Sequence, residues 1–212
     1  MKGRRRAIAL RLAAEAAALN SGGVGEAEEL EAIAAALARG TRPTVKTKRG
    51  EVFTRICEAY ASGWEDLSRL TDSLFEELDP GLRAALTVLL VDLAPEFEGR
   101  AMDSAVKWLE RVEPDLRVAA VKVLGALAEL GSRRALERVL KVLKAEWEVK
   151  KVRLAALGSL LGIAESRPEV GEVITSELGA ALSKERDPEV RIGILSALIS
   201  LLERRAPESS FD

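Results

Sequence analysis

The stretch Glu113–Leu127, EPDLRVAAVKVLGAL, decides the fold because its frame returns three more times along the chain. Upstream it reads DPGLRAALTVLLVDL at Asp79–Leu93, and downstream DPEVRIGILSALISL at Asp187–Leu201. A fourth copy without the proline, VKKVRLAALGSLLGI, spans Val149–Ile163. Aligned on their arginine, Arg83, Arg117, Arg153 and Arg191 stand 34, 36 and 38 residues apart. A period in that range marks a stack of helical hairpins.

Each copy places apolar residues one before the arginine and three, seven and ten after it. These are Leu82, Leu86, Leu90, Leu93; Leu116, Ala120, Leu124, Leu127; Val152, Ala156, Leu160, Ile163; and Val190, Ile194, Leu198, Leu201. Steps of four, four and three keep such side chains on one face of an α-helix. In three copies an acid followed by proline opens the helix. The carboxylate caps the first free amides, and proline at the first helical position loses no hydrogen bond. A second amphipathic segment precedes each copy: Trp64–Leu78, Ala101–Val112, Arg133–Leu143 and Pro168–Leu182. A two-helix unit cannot bury its face alone, so neighbours are expected to stack.

The pattern D-P-x-V-R-x-x-A-x-x-A-L-G at this period resembles the HEAT repeat, above all the short HEAT-like repeats first associated with phycobilisome lyases. EPDLRVAAVKVLG is the nearest match, and the resemblance runs from about Glu26 to Arg205, weakening toward the N-terminus. It implies an all-α fold, a right-handed α-α superhelix of the HEAT/ARM-like solenoid kind with about 11 helices. In such proteins the acid and the arginine tie adjacent repeats together. The resemblance gives that role to Asp79, Arg83, Glu113, Arg117, Arg153, Asp187 and Arg191. The copy at Val149 departs from the pattern, with Val149 for the acid and Lys150 for the proline.

The expected organisation is one solenoid domain over 1–205. An N-terminal capping helix and loop occupy 1–25, followed by helix pairs at 26–62, 64–95, 99–130, 132–165 and 168–205, then a flexible tail at 206–212. Arg4–Leu19 reads as an Ala-rich helix stopped by Asn20-Ser21-Gly22-Gly23, its Ile8, Leu12 and Leu19 covering the Glu26–Ala38 helix. Pro43-Thr44-Val45-Lys46 fits the proline-x-apolar-base frame, with Lys46 placed 37 residues before Arg83. It reads as a degenerate repeat, although Arg49 and Gly50 then fall mid-helix.

Composition narrows the function classes. The chain has 212 residues, 48% of them hydrophobic but only 4% aromatic, so its core is built from Ala, Leu and Val. It has no glutamine, no histidine and a single asparagine, Asn20, with 31% charged residues, a pattern of heat-adapted proteins. Cys57 is the lone cysteine, which points to a reducing compartment. No apolar run reaches the roughly 18 residues of a membrane helix, and Arg11 and Glu15 interrupt the one N-terminal run that resembles a signal peptide. The expectation is a soluble cytoplasmic protein with no membrane partner.

Catalysis is not expected. Without histidine there is no Ser-His-Asp or Cys-His arrangement and no imidazole metal ligand. No glycine-rich nucleotide motif occurs, so no cofactor and no metal site are expected. Cys57 in ICEAY reads as a buried, inert thiol. The HEAT-like DNA glycosylases are a distant alternative, because they require a Trp and an Asp in one cleft. Trp64, Trp108 and Trp147 read instead as packing between helices.

Two sets of residues remain as binding candidates. Basic residues 1–50 outnumber acids ten to five. Arg4, Arg5, Arg6, Arg39, Arg42, Lys46, Lys48 and Arg49 there, with Arg134, Arg138 and Lys141 along one later helix face, form a possible nucleic-acid surface. The competing reading is a solvated surface with ion pairs to Glu137, Glu146 and Glu148, which the net charge of −2 favours. The other set is a strip of small residues with charged ends on the second helices: Lys122, Ala126 and Glu129; Lys151, Gly158, Gly162 and Glu165; Glu189, Ser196, Ser200 and Glu203. Second helices line the concave side of such arrays. Glycine inside a helix costs about 1 kcal/mol against alanine, so Gly158, Gly162 and Gly193 ask for a close neighbour: a packed helix or a partner in the groove. The function expected is that of a non-enzymatic scaffold holding another protein on this strip, with a nucleic-acid or ribonucleoprotein-associated factor as the alternative.

Overall fold

A computed structural model describes residues 2–19 and 24–204. They form α1 (Lys2–Ala18), α2 (Val24–Ala38), α3 (Lys48–Ser62), α4 (Trp64–Leu74), α5 (Pro80–Leu93), α6 (Glu98–Leu109), α7 (Pro114–Glu129), α8 (Arg133–Lys144), α9 (Lys150–Ser166), α10 (Gly171–Leu182) and α11 (Pro188–Glu203). Short 3₁₀ turns lie at Phe75–Glu77, Ala94–Phe97 and Pro168–Val170. No strand occurs among the described residues, and none of their helices is long and apolar enough to cross a membrane. The proposed turn at 20–23 and the tail at 206–212 lie outside the described residues. Contacts divide the chain into two compact units, Met1–Ser104 and Ala105–Asp212, with the boundary inside α6.

In the second unit the repeated frame builds what its spacing predicts. Pro114 and Pro188 open α7 and α11, and the preceding acids cap them. Asp187 accepts from the amides of Glu189 (2.9 Å) and Val190 (3.0 Å), and Glu113 from that of Asp115 (3.4 Å). The frame's apolar residues on α7, α9 and α11 are buried except Leu198, which is half-buried. The three helices lie parallel and in register. Lys151 of α9 pairs with Asp115 of α7 at one end, and a Cβ on Gly162 would meet Glu129 at the other. Between α9 and α11 the ties are Lys150–Glu189 (2.6 Å) and Glu165–Arg204 (2.5 Å).

In this unit the acids Glu113 and Asp187 cap their own helices, while Arg117 and Arg153 reach backward and forward. Arg117 donates to the carbonyls of Arg111 (2.7 Å) and Val112 (2.6 Å) and pairs with Glu148 (2.9 Å), which lies just before α9. Arg153 donates to the carbonyl of Leu143 (3.0 Å) and pairs with Glu185, just before α11. Glu148 and Glu185 stand outside the repeated frame and were not expected partners.

The first unit departs from the expected pattern at two places. Thr41–Lys46 has no regular secondary structure and is not a helix start, and α3 begins at Lys48 with Thr47 as its cap. Glu29 explains the shift, because its carboxylate accepts the amides of Lys46 (2.5 Å) and Thr47 (3.1 Å), fixing these residues ahead of the helix. Arg49 and Gly50 therefore lie in the first turn, and Arg49, not Lys46, supplies the forward tie, reaching Asp79 at 3.0 Å.

The second departure is α1. It runs antiparallel along α5, with Arg5 beside Asp92 (3.0 Å) and Ala17 beside Gly81. Its buried edge is Ala9, Leu10, Ala13, Ala14 and Ala17, whereas Ile8, Leu12 and Leu19 are 53%, 49% and 82% exposed. The face expected to cap α2 is thus the solvent face. Alanine wins the buried edge because small side chains let two helix backbones approach closely. Gly81 marks the closest approach, since a Cβ there would lie 2.5 Å from the Ala17 carbonyl oxygen. Gly81→Ala is expected to destabilise by about 1–3 kcal/mol despite alanine's better helix propensity. Chemical denaturation checks this, and an unchanged or raised midpoint would refute the close contact.

Candidate partner-binding surfaces

The small-residue strip is open to solvent in the second unit. Lys122, Glu129, Lys151, Gly158, Glu165, Glu189, Ser196 and Glu203 are exposed, and Ala126, Gly162 and Ser200 are half-buried. The glycines within it have different reasons. A Cβ on Gly158 would meet nothing within 4 Å, so no helix presses on it. One on Gly162 would meet only the Glu129 carboxylate at 2.8 Å, a flexible tip. Gly193 is a packing glycine, where a Cβ would lie 2.9 Å from Leu157 and 3.2 Å from Leu154. The charged ends are also less free than a rim requires, because Lys151, Glu165 and Glu189 are paired with Asp115, Arg204 and Lys150. Burial, with Glu165 nearby, raises the Glu129 carboxyl above its ordinary value.

The basic N-terminal residues split into structural and free ones. Arg5 donates to Asp92 (3.0 Å), and Arg49, with 13% of its side chain exposed, joins Glu26 (3.3 Å), Asp79 (3.0 Å) and the Ala17 carbonyl (2.7 Å). Arg6 is half-buried, and the Arg4 side chain lies outside the described residues. Arg39, Arg42, Lys46 and Lys48 are exposed. The two tied arginines are therefore not available to phosphate without breaking the first unit. Cys57 is buried there, and burial pushes its thiol up to about 12, so almost no thiolate exists at neutral pH.

The least expected residue is Trp147. Trp64 and Trp108 pack inside, at 1% and 0% exposure, but Trp147 is 80% exposed. It sits in the short Ala145–Val149 connection, where Glu148 turns inward to reach Arg117 and its neighbour is left facing outward. Trp147 walls a groove of about 680 Å³ formed with Val106 and Leu109 of α6 and Leu140 of α8. Arg138 and Lys141 line it too, and neither has an ion-pair partner among the described residues. Of the three acids expected to neutralise them, Glu137 pairs with Arg133 (3.0 Å) and Glu148 with Arg117, while Glu146 is exposed. Arg134 stands exposed on the same helix. No aspartate lines the groove, so it lacks the Trp–Asp combination of the glycosylase alternative. The one sequence signal for Trp147 is its place between two glutamates, Glu146 and Glu148, outside any helical apolar period.

Comparison with protein-family models, with curated proteins and with solved structures gives no match for this chain.

Proposed function

We propose that this chain is a non-enzymatic scaffold of HEAT-like helical repeats, wound as a right-handed superhelix, that holds a protein partner. The observation that carries the reading is the groove at Trp147. An exposed tryptophan beside aliphatic walls, flanked by unpaired Arg138 and Lys141, has the make-up of an interface anchor. Its volume of about 680 Å³ suits an aliphatic or aromatic side chain with part of its backbone. The two cations can meet an isolated acidic residue beside that anchor, while Glu110 in the same groove disfavours a strongly anionic partner.

The strip on α7, α9 and α11 is the competing surface, and one experiment separates the two. The immobilised chain is exposed to a lysate of its source, alongside Trp147→Ser and the double variant Gly158→Leu/Ser196→Leu. Trp147→Ser is expected to weaken capture at least about 30-fold, the mark of a hot spot. The leucine pair is expected to capture normally and melt normally, because the space over Gly158 is open. The opposite result moves the site to the strip, and capture by neither parent nor variants removes the reading.

A nucleic-acid reading is favoured by one observation, the unpaired Arg134, Arg138 and Lys141 beside an exposed aromatic ring able to stack on a base. Against it stand Glu110 and Glu137 in the same groove. If the captured ligand were nucleic acid, log affinity would fall with log salt by about 0.9 per duplex phosphate contact. Removing Arg138 and Lys141 would then flatten that slope.

A further inference from the structure

The outer edge of α11 carries four exposed aliphatic side chains. On α7 the residues one, four, eight and eleven after the frame arginine are Val118, Val121, Gly125 and Ala128, all buried or half-buried. A Cβ on Gly125 would lie 2.9 Å from Ser159, so this edge is the one covered by α9. The same positions on α9 are Leu154, Leu157, Leu161 and Ala164, again buried or half-buried, and Leu154 and Leu157 press on Gly193 of α11. On α11 they are Ile192, Leu195, Ile199 and Leu202, exposed by 63%, 42%, 55% and 55%. The edge is more aliphatic on α11 than on α7 or α9, and on α11 it is exposed. Single exposed aliphatic residues are ordinary, whereas four on one edge mark an interaction surface.

We propose that a second copy of this chain covers this edge, with α11 packed antiparallel against α11 about a two-fold axis. Continuity supports a helix as the occupant, because the same edge of α7 and of α9 is built to receive one. Three features support the chain itself in reversed orientation. The spacing of three, four and three is unchanged when read from the other end. A reversed copy therefore sets Ile192 level with Leu202 and Leu195 level with Ile199, the self-complementary arrangement a two-fold contact needs. Exposed Arg191 stands at one end and exposed Glu203 at the other, so reversal brings unlike charges together where a parallel pair would bring like charges together. The helix dipoles also oppose one another in this arrangement. A single helix edge supplies less than the roughly 800 Å² per partner of a durable interface, so the dimer forms in the micromolar range and dissociates on dilution.

Sedimentation velocity on the full chain, from about 1 to 300 µM, is expected to show monomer passing to dimer across that range. Leu195→Lys/Ile199→Lys is expected to remain monomeric throughout. Both side chains are exposed in the single copy, so this variant should melt as the parent does. A parent that stays monomeric at the highest concentration overturns the proposal, as does a lysine variant that dimerises like the parent. Orientation is read by mixing Leu195→Cys with Ile199→Cys chains under mild oxidation. Cross-linking between the two variants is expected, and cross-linking of each variant only to itself would overturn the antiparallel pairing.

Discussion

Replacing Glu185 with alanine is expected to lower stability by roughly 3–5 kcal/mol, among the largest effects of any single substitution in this chain. Only 7% of the Arg153 side chain and 4% of the Glu185 side chain are exposed. Without the carboxylate, the guanidinium stays desolvated with the Leu143 carbonyl as its remaining hydrogen-bond acceptor among the described residues. Glu185 also accepts the amides of Arg186 (2.9 Å) and Asp187 (2.8 Å), which orient the chain into the Asp187 cap of α11. The exposed pair Arg11–Glu15 is the control, and Glu15→Ala is expected to cost under about 0.5 kcal/mol. A Glu185→Ala chain as stable as that control would refute a structural role for the pair.

The same pair predicts acid sensitivity with a definite sign. Burial raises the Glu185 carboxyl, but the hydrogen bond from Arg153, the amides and the Arg153 charge outweigh it, and the group is held below its ordinary value. A carboxyl lowered in the folded state contributes stability that is fully present above its unfolded pKa, near about 4.3. That contribution is lost as pH falls through the lower, folded value. Melting temperatures of the parent and Glu185→Gln between pH 7 and 3 are expected to converge at the acid end, because only the parent has this component to lose.

Removing residues 1–18 is expected to abolish cooperative unfolding of the first unit, which near-UV circular dichroism and hydrogen exchange would report. The deletion strips α1 from the length of α5 and leaves Asp92 without Arg5 and Arg49 without the Ala17 carbonyl. Point substitutions separate this role from that of an outer cap. Leu10 is fully buried, so Leu10→Ala is expected to cost about 2–5 kcal/mol. Leu12 is half exposed, and Leu12→Ala is expected to stay within about 0.5 kcal/mol of the parent. The reverse order would restore the capping role to Ile8, Leu12 and Leu19.

Much of the second unit was legible in the chain because its information is local. A proline after an acid starts a helix wherever it occurs, and apolar steps of four, four and three select one buried face regardless of what covers it. That is why Leu116, Ala120, Leu124 and Leu127 on α7 take the places their spacing assigns. The candidate site was less legible. The small strip was visible as a period, and Arg138 and Lys141 as a stripe, but neither pattern marks the residue beside them that makes a groove.

By itself the sequence determined that the chain is helical, where α5, α7, α9 and α11 begin, and which of their faces are buried. Only the tertiary structure decided the partners of the frame arginines, the direction of α1 and the exposure of Trp147. The physical reason is common to all three. An arginine's pattern is satisfied by any carboxylate within reach, and Glu148 and Glu185 are within reach only after two helices have packed. An Ala-rich helix has no strongly preferred face, so the close approach at Gly81 selects Ala9, Leu10, Ala13, Ala14 and Ala17 over the larger Ile8 and Leu12. A tryptophan in a five-residue connection turns outward because its neighbour Glu148 is drawn in by Arg117, a choice made between residues 31 positions apart.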